Sequence, residues 1–273
     1  GTARPSVVST NASVSPALAD DAAATERPTG PSQCHDTACS AGLSLSPLRR
    51  DGAIPAGAPR VPPPAASHPV TDPALDLPEL RDLRRGIEGL RVLARGQDPR
   101  TSAHEKRVAK LCVAIGRELG LAPLRIAMLE LAAGIHDIGK LQVPPAVLHK
   151  SGRLSDEERR LVEAHAKHGY DALALLRSPL PIADFVLQHH ERVDGKGYPQ
   201  RLGGRDLHLE SKILACADVY DAIAAKRSYK AGRQPKDVEA ELRQARGTQL
   251  DPAVVDALLK LIAGGEAARC IED

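Results

Sequence analysis

Residues 123–138 are apolar around most of the circumference of a helix, and this stretch restricts the fold more than any other. Ile126, Leu129, Leu131, Ala132 and Ile135 leave no wide polar face, so the helix must be central and enclosed by other elements. Only 2% of the residues are aromatic. The core is therefore built from Leu, Ile, Val and Ala, which suits packed helices better than sheets. The expectation is an all-α bundle with no strand and no internal repeat.

The enclosing helices can be read from their ends. Asp76-Leu77-Pro78-Glu79 has the spacing of a helix start, with Pro in the first turn. Leu80, Leu83, Ile87 and Leu90 follow at alternating three and four spacing. That seam either packs on its own domain or dimerises. Ser102-Ala-His104-Glu105 reads as a capping box, predicting a helix from Ser102 to about Gly120 with His104 in its first turn. Ser155-Asp-Glu-Glu158 is a second box, opening a helix that carries Leu161, Val162, His165 and Leu173. Residues 182–187 lead into His189-His190, and the Gly- and charge-rich run 191–199 reads as a loop. Another helix begins near Ser211, and Pro235–Arg246 and Pro252–Ile262 read as closing helices.

Residues 1–75, rich in Ala, Pro and Ser, lack the apolar periodicity needed to offset ordering entropy and are expected to be a disordered tail. Cys34-His35 and Cys39 form no complete metal cluster. Residues 76–97 then form a linker or dimerisation helix, and 98–265 the functional domain. A formal charge of +2 is too small to argue for a nucleic-acid polymer or a membrane surface. No apolar run approaches the ~18 residues of a membrane span. Five scattered cysteines make no disulfide framework, and a cytoplasmic location is expected.

The chemistry centres on Gly134-Ile-His-Asp-Ile-Gly-Lys140. His136 and Asp137, being adjacent, point about 100° apart on a helix. They serve one site if the carboxylate bridges two metals while the imidazole binds one. Gly139 would end the helix, leaving Lys140 beside any anion the metals hold. Alone this would be a helix end with a chance His-Asp pair. However, His104, His165, His189, His190 and Asp218 accumulate on successive helices. Five imidazoles and two carboxylates exceed the needs of one ion, and two divalent ions sharing Asp137 accommodate them. The donor set suits Fe or Mn first, with Zn or Ni also accepted. Two ions ~3.5–4 Å apart hold the attacking and leaving oxygens of a phosphoryl displacement and lower the pKa of water toward ~7.

The order His104, then His136-Asp137, then Asp218 resembles the H…HD…D core of HD-domain metal-dependent phosphohydrolases. Further runs make the chain similar to the HD-GYP subfamily: His165 followed by Gly169, His189-His-Glu-Arg192, Asp194-Gly-Lys-Gly-Tyr-Pro199, Ala217-Asp-Val-Tyr-Asp-Ala222 and Arg227-Ser-Tyr-Lys230. The resemblance spans about residues 98 to 263. It implies an HD helical bundle with an added C-terminal helical extension. It also implies a bacterial signal-transduction phosphodiesterase that hydrolyses cyclic di-guanylate to the linear dinucleotide or GMP. By motif position, His104, His136, Asp137 and Asp218 would bind one metal, and Asp137, His165, His189 and His190 the other. Asp137 and Lys140 would be catalytic. Lys140, Arg227 and Lys230 would hold phosphates, beside a loop shaped by Gly197, Tyr198 and Pro199. Asp221 would orient Lys140 from behind. A homodimer and a signalling partner protein are further expectations.

Some relatives bind a third metal through a Glu four residues before the first histidine. Arg100 stands there in this chain, so two metals are expected, with the chain before Ser102 not helical. Val193 and Ser228 also depart from the family pattern. The competing readings are an HD phosphohydrolase acting on mononucleotides or polyphosphates, and an HD-GYP fold kept as a signalling module with weak or no catalysis. The Gly-Tyr-Pro loop and His189-His190 argue against the first, and the complete ligand set against the second.

Overall fold

Pro123 occupies the first helical position of the central helix, where its missing N–H costs nothing. In the computed structural model, which describes residues 75–94, 99–229 and 235–271, this helix is α3 (Pro123–Ala133). Ala127, Met128, Leu129, Leu131, Ala132 and Ala133 are buried, as a helix apolar on most sides requires. α3 stops earlier than its apolar pattern suggests. Gly134 caps it by donating to Glu130 O, residues 134–137 form a turn, and Ile138–Gln142 form a short 3-10 helix. His136 and Asp137 therefore sit in the turn, not on a helix, and Gly139 lies inside the 3-10 helix instead of ending one.

Other helices pack around α3 and this turn. α1 (Pro78–Ala94) buries Leu80, Leu83 and Ile87 in the core, each contributing about 1.5–3 kcal/mol of apolar burial. Its seam is thus used within the chain. α2 (Pro99–Glu118) packs on α3 with Val108, Leu111, Cys112 and Ile115 fully buried. The helix starts at Pro99, so Ser102 lies inside it and does not cap it. His104 is consequently one turn further in than expected, and Arg100 is helical. The side chain of Arg100 is outside the described residues.

α4 (Pro145–Leu148) is a single turn in the exposed stretch after the 3-10 helix. α5 (Asp156–Glu163) opens with the expected capping box: Ser155 Oγ accepts from the Glu158 N–H, and the Glu158 carboxylate accepts from the Ser155 N–H. Ala164 separates α5 from α6 (His165–Ala174), where one continuous helix was expected. α7 (Ile182–Leu187) buries Phe185 and Val186 against α3 and α6. α8 (Leu209–Tyr229) lies along α2 and buries Ile213, Leu214, Ala217 and Ile223. α9 (Pro235–Ala245), α10 (Pro252–Ala263) and an unanticipated α11 (Glu266–Ile271) complete the bundle. Among the described residues there is no strand, only the isolated bridges Asp194–Gly203 and Arg246–Leu250. The fold is all-α, as expected. Residues 1–74, including Cys34, His35 and Cys39, lie outside the described residues, as do the side chain of Arg227 and the whole of Lys230.

Candidate metal centre

Close backbone contact sets the geometry of the site. The 3-10 helix packs against the start of α6 so tightly that a Cβ on Gly139 would lie 1.9 Å from His165 O and 2.6 Å from Gly169 N. This approach brings Asp137 to His165. A second contact fixes the paired histidines, which occupy the turn after α7. A Cβ on Gly197 would lie 2.4 Å from Glu191 Cα and 2.6 Å from His190 O. The Tyr198 N–H donates to His190 O at 3.2 Å. The Tyr198 ring stacks on the His190 imidazole, with centroids 4.8 Å apart.

All seven expected ligands converge. Donor atoms of His165, His189 and His190 lie within 4.8 Å of one another, as do those of His104, His136 and Asp218 and those of His136, Asp137 and His189. Asp137 lies between the sets: its Oδ1 is 3.6 Å from His165 Nε2, while its Oδ2 is 3.7 Å from His136 Nε2 and 3.9 Å from His104 Nε2. His136, His165 and His189 each donate Nδ1–H to a backbone carbonyl three residues back, Ala133, Val162 and Val186 respectively. A carbonyl can only accept, so each ring carries a hydrogen on Nδ1, and in a neutral ring Nε2 then turns a lone pair inward. The Nε2 atoms of His165 and His189 face each other at 3.3 Å. Two such lone pairs repel across that distance, and a shared cation turns the repulsion into ligation. The donor set therefore fits divalent metals.

The electrostatics agree with this fit at one end of the site. Burial lowers His165 to about 4 and His189 to about 3, and lowers His190 as well. All three are neutral near pH 7, the state that ligates metal. Burial would likewise lower His104, but hydrogen bonds to Asp218 and Asp221 outweigh it and raise it to about 10. Asp137 is held well below the carboxylate range: burial would raise it, but Lys140 and the surrounding imidazoles prevail.

Five side chains are placed differently from the sequence reading or go beyond it. Lys140 donates to Asp137 Oδ2 at 2.6 Å. Asp221, expected behind Lys140, instead accepts from His104 Nδ1 and from Arg107. Arg107 was missed, although it follows His104 at i+3 on the same helical face. Glu191 enters the sequence reading only within the His189–Arg192 run. It is buried and accepts the backbone N–H groups of Gln200, Arg201 and Leu202, tying down the loop beyond Pro199. Glu105 was read only as a cap, yet burial and the nearby Asp137 raise it to about 8. Pro199, joined to Tyr198 by a cis peptide, is exposed. A separate surface groove of about 340 Å³, lined among others by Lys110, Arg117 and Arg269, contains none of the candidate residues.

A helical bundle that gathers histidines and aspartates around an adjacent His-Asp pair defines an HD-type metal centre. The HD-domain profile matches residues 90–254, more than half of the chain. The chain belongs to the HD-domain family, and its motifs and relatives place it in the HD-GYP branch. It is 37% identical to a 3'3'-cGAMP-specific phosphodiesterase of Vibrio cholerae over 59% of this chain and 31% of that protein. It is 37% identical to the cyclic di-GMP phosphodiesterase response regulator RpfG of Xanthomonas campestris over 64% of this chain and 48% of the relative. It is 35% identical to a cyclic di-GMP phosphodiesterase of Thermotoga maritima, again over 64% of this chain and 48% of the relative. The chain thus spans 31% to 48% of the length of these curated relatives. Among solved structures, an HDG"Y"P protein from Bdellovibrio bacteriovorus shares the fold with a TM-score of 0.52 at 16% identity, over 70% of this chain and 67% of that one.

Proposed function

We propose that the chain is a metal-dependent phosphodiesterase that hydrolyses cyclic di-guanylate to the linear dinucleotide, to GMP, or to both. The observation that carries this reading is Asp137, whose two carboxylate oxygens face different histidines. His104, His136, Asp137 and Asp218 would hold one divalent ion, and Asp137, His165, His189 and His190 the other, with Fe or Mn favoured by the mixed donors. Such a pair, when bound, supplies a nucleophilic water near neutral pH and offsets charge on the phosphate. The chain itself contributes Lys140, whose ammonium, anchored on Asp137, lies beside the centre to meet a phosphate oxygen. Arg227 and Lys230 would hold the remaining phosphate charge. The loop Gly197-Tyr198-Pro199 fixes His190 and borders the substrate.

In this reading residues 98–265 are the phosphohydrolase domain. A homodimer or a signalling partner would dock on a surface other than the buried seam of α1. No described helix is long and apolar enough to cross a membrane, and action in the cytoplasm is part of the proposal. Cyclic GMP-AMP is the second substrate reading, because relatives named for it match as well as those named for cyclic di-GMP. Timed chromatography of metal-loaded full chain with both cyclic dinucleotides and a mononucleotide panel tests the assignment. Turnover of cyclic di-guanylate ahead of the rest is expected. Preference for a mononucleotide, or no turnover by fully loaded protein, would overturn it.

A further inference from the structure

The histidines are not all aimed by the same kind of group. His136, His165 and His189 rely on carbonyls belonging to their own turn of chain, which the backbone fixes. His104 donates its Nδ1–H instead to Asp221 Oδ2 at 2.7 Å, a side chain 117 residues away on α8. Asp221 has rotamers of its own, and Arg107 removes that freedom. Its Nε reaches Asp221 Oδ1 at 2.7 Å and its Nη2 reaches Oδ2 at 2.9 Å, a two-pronged, charge-assisted grip. Asp218 and Asp221 lie one turn apart on α8 and hold the same ring from opposite nitrogens, with His104 Nε2 3.2 Å from Asp218 Oδ1. The aim of His104 thus depends on an ionic pair bridging α2 and α8, whereas His165 and His189 are aimed by the backbone carbonyls of Val162 and Val186.

We propose that Arg107 and Asp221 are positioning residues that set the affinity of the metal position formed by His104, His136 and Asp218 independently of the other position. The inference rests on the two-ion reading above. A carboxylate on the outer nitrogen of a ligating imidazole fixes its tautomer and strengthens it as a donor, and losing such a partner typically weakens metal binding about 10–100-fold. Lysine cannot replace Arg107, because a single ammonium cannot form the fork that holds both oxygens.

The test is a titration of metal-stripped full chain with Mn²⁺, following bound ion per chain by equilibrium dialysis and heat by calorimetry. Wild type should take up two ions in two steps. Asp221→Ala should weaken one step by about 10–100-fold and leave the other within about twofold. Arg107→Gln should weaken the same step by a smaller factor, and Arg107→Lys should not restore it. Thermal melts of the metal-free proteins separate a local effect from unfolding. If Asp221→Ala does not fold, Arg107→Gln, changing a partly exposed side chain, carries the test. Equal weakening of both steps, or of neither, in a protein that still binds two ions overturns the clamp alone. A wild-type chain that binds fewer than two ions overturns the two-ion reading and the clamp with it.

Discussion

Gly139→Ala is a one-methyl substitution with a large expected effect. Gly139 is not among the glycines with positive φ, so its backbone conformation is open to alanine. On conformational grounds alone the change would stabilise the chain by about 0.4–1 kcal/mol through the unfolded state. Packing reverses the sign. The new Cβ would lie 1.9 Å from His165 O, against about 3.4 Å for ordinary contact, so 1.5 Å must be opened (3.4 − 1.9). The opposing atoms are backbone and cannot rotate away. Overpacking of this kind typically costs about 1–3 kcal/mol, or a fall of roughly 2–12 °C in melting temperature at ~2–4 °C per kcal/mol. The same shift would move Asp137 relative to His165, whose Nε2 lies 3.6 Å from Asp137 Oδ1. A misplacement of ~1 Å can cost on the order of 10²-fold in rate. Calorimetric melting, metal per chain and turnover should therefore all fall together. A variant as stable as wild type with full metal content would refute the packing argument.

Gly197→Ala should act at the other end of the site, lowering metal content through His190, since its Cβ meets backbone of Glu191, Arg192 and His190; metal analysis of the purified variant checks this. Glu191→Gln keeps the shape but replaces one acceptor oxygen of a group serving three N–H donors. A loss of about 1–3 kcal/mol is expected, read from denaturant midpoints. Lys140→Met should leave metal content intact and lower kcat by about 10²–10³-fold, the usual effect of removing a charge-stabilising donor; parallel metal and rate assays separate the two effects.

Local chemistry made part of this fold legible. Ser155 and Glu158 satisfy each other's N–H groups whatever surrounds them, and Pro78 fits a first turn because the N–H it lacks would have no helical partner there. Two local signals competed at α2, and Pro99 prevailed over the Ser102–Glu105 spacing. The early end of α3 was hidden because Ile135 and Ile138 continue the apolar pattern. The stop is enforced from outside, where Gly139 meets α6. At the site, the seven converging donor residues are legible from type and spacing. The partner of Asp221 is not, because a position one turn from Asp218 does not reveal whether the side chain reaches α2 or the 3-10 helix.

The central claim is that metal ions held around Asp137 cleave a cyclic dinucleotide. Its most direct test is cyclic di-guanylate hydrolysis by full chain stripped of metal, reloaded with Fe²⁺ or Mn²⁺, and compared with reloaded Asp137→Ala. Product should be absent after stripping and return with about two ions per chain. The variant should stay at least tenfold slower, a barrier difference of ~1.4 kcal/mol or more. Product formation by stripped protein, or a variant within tenfold of wild type, would contradict the account.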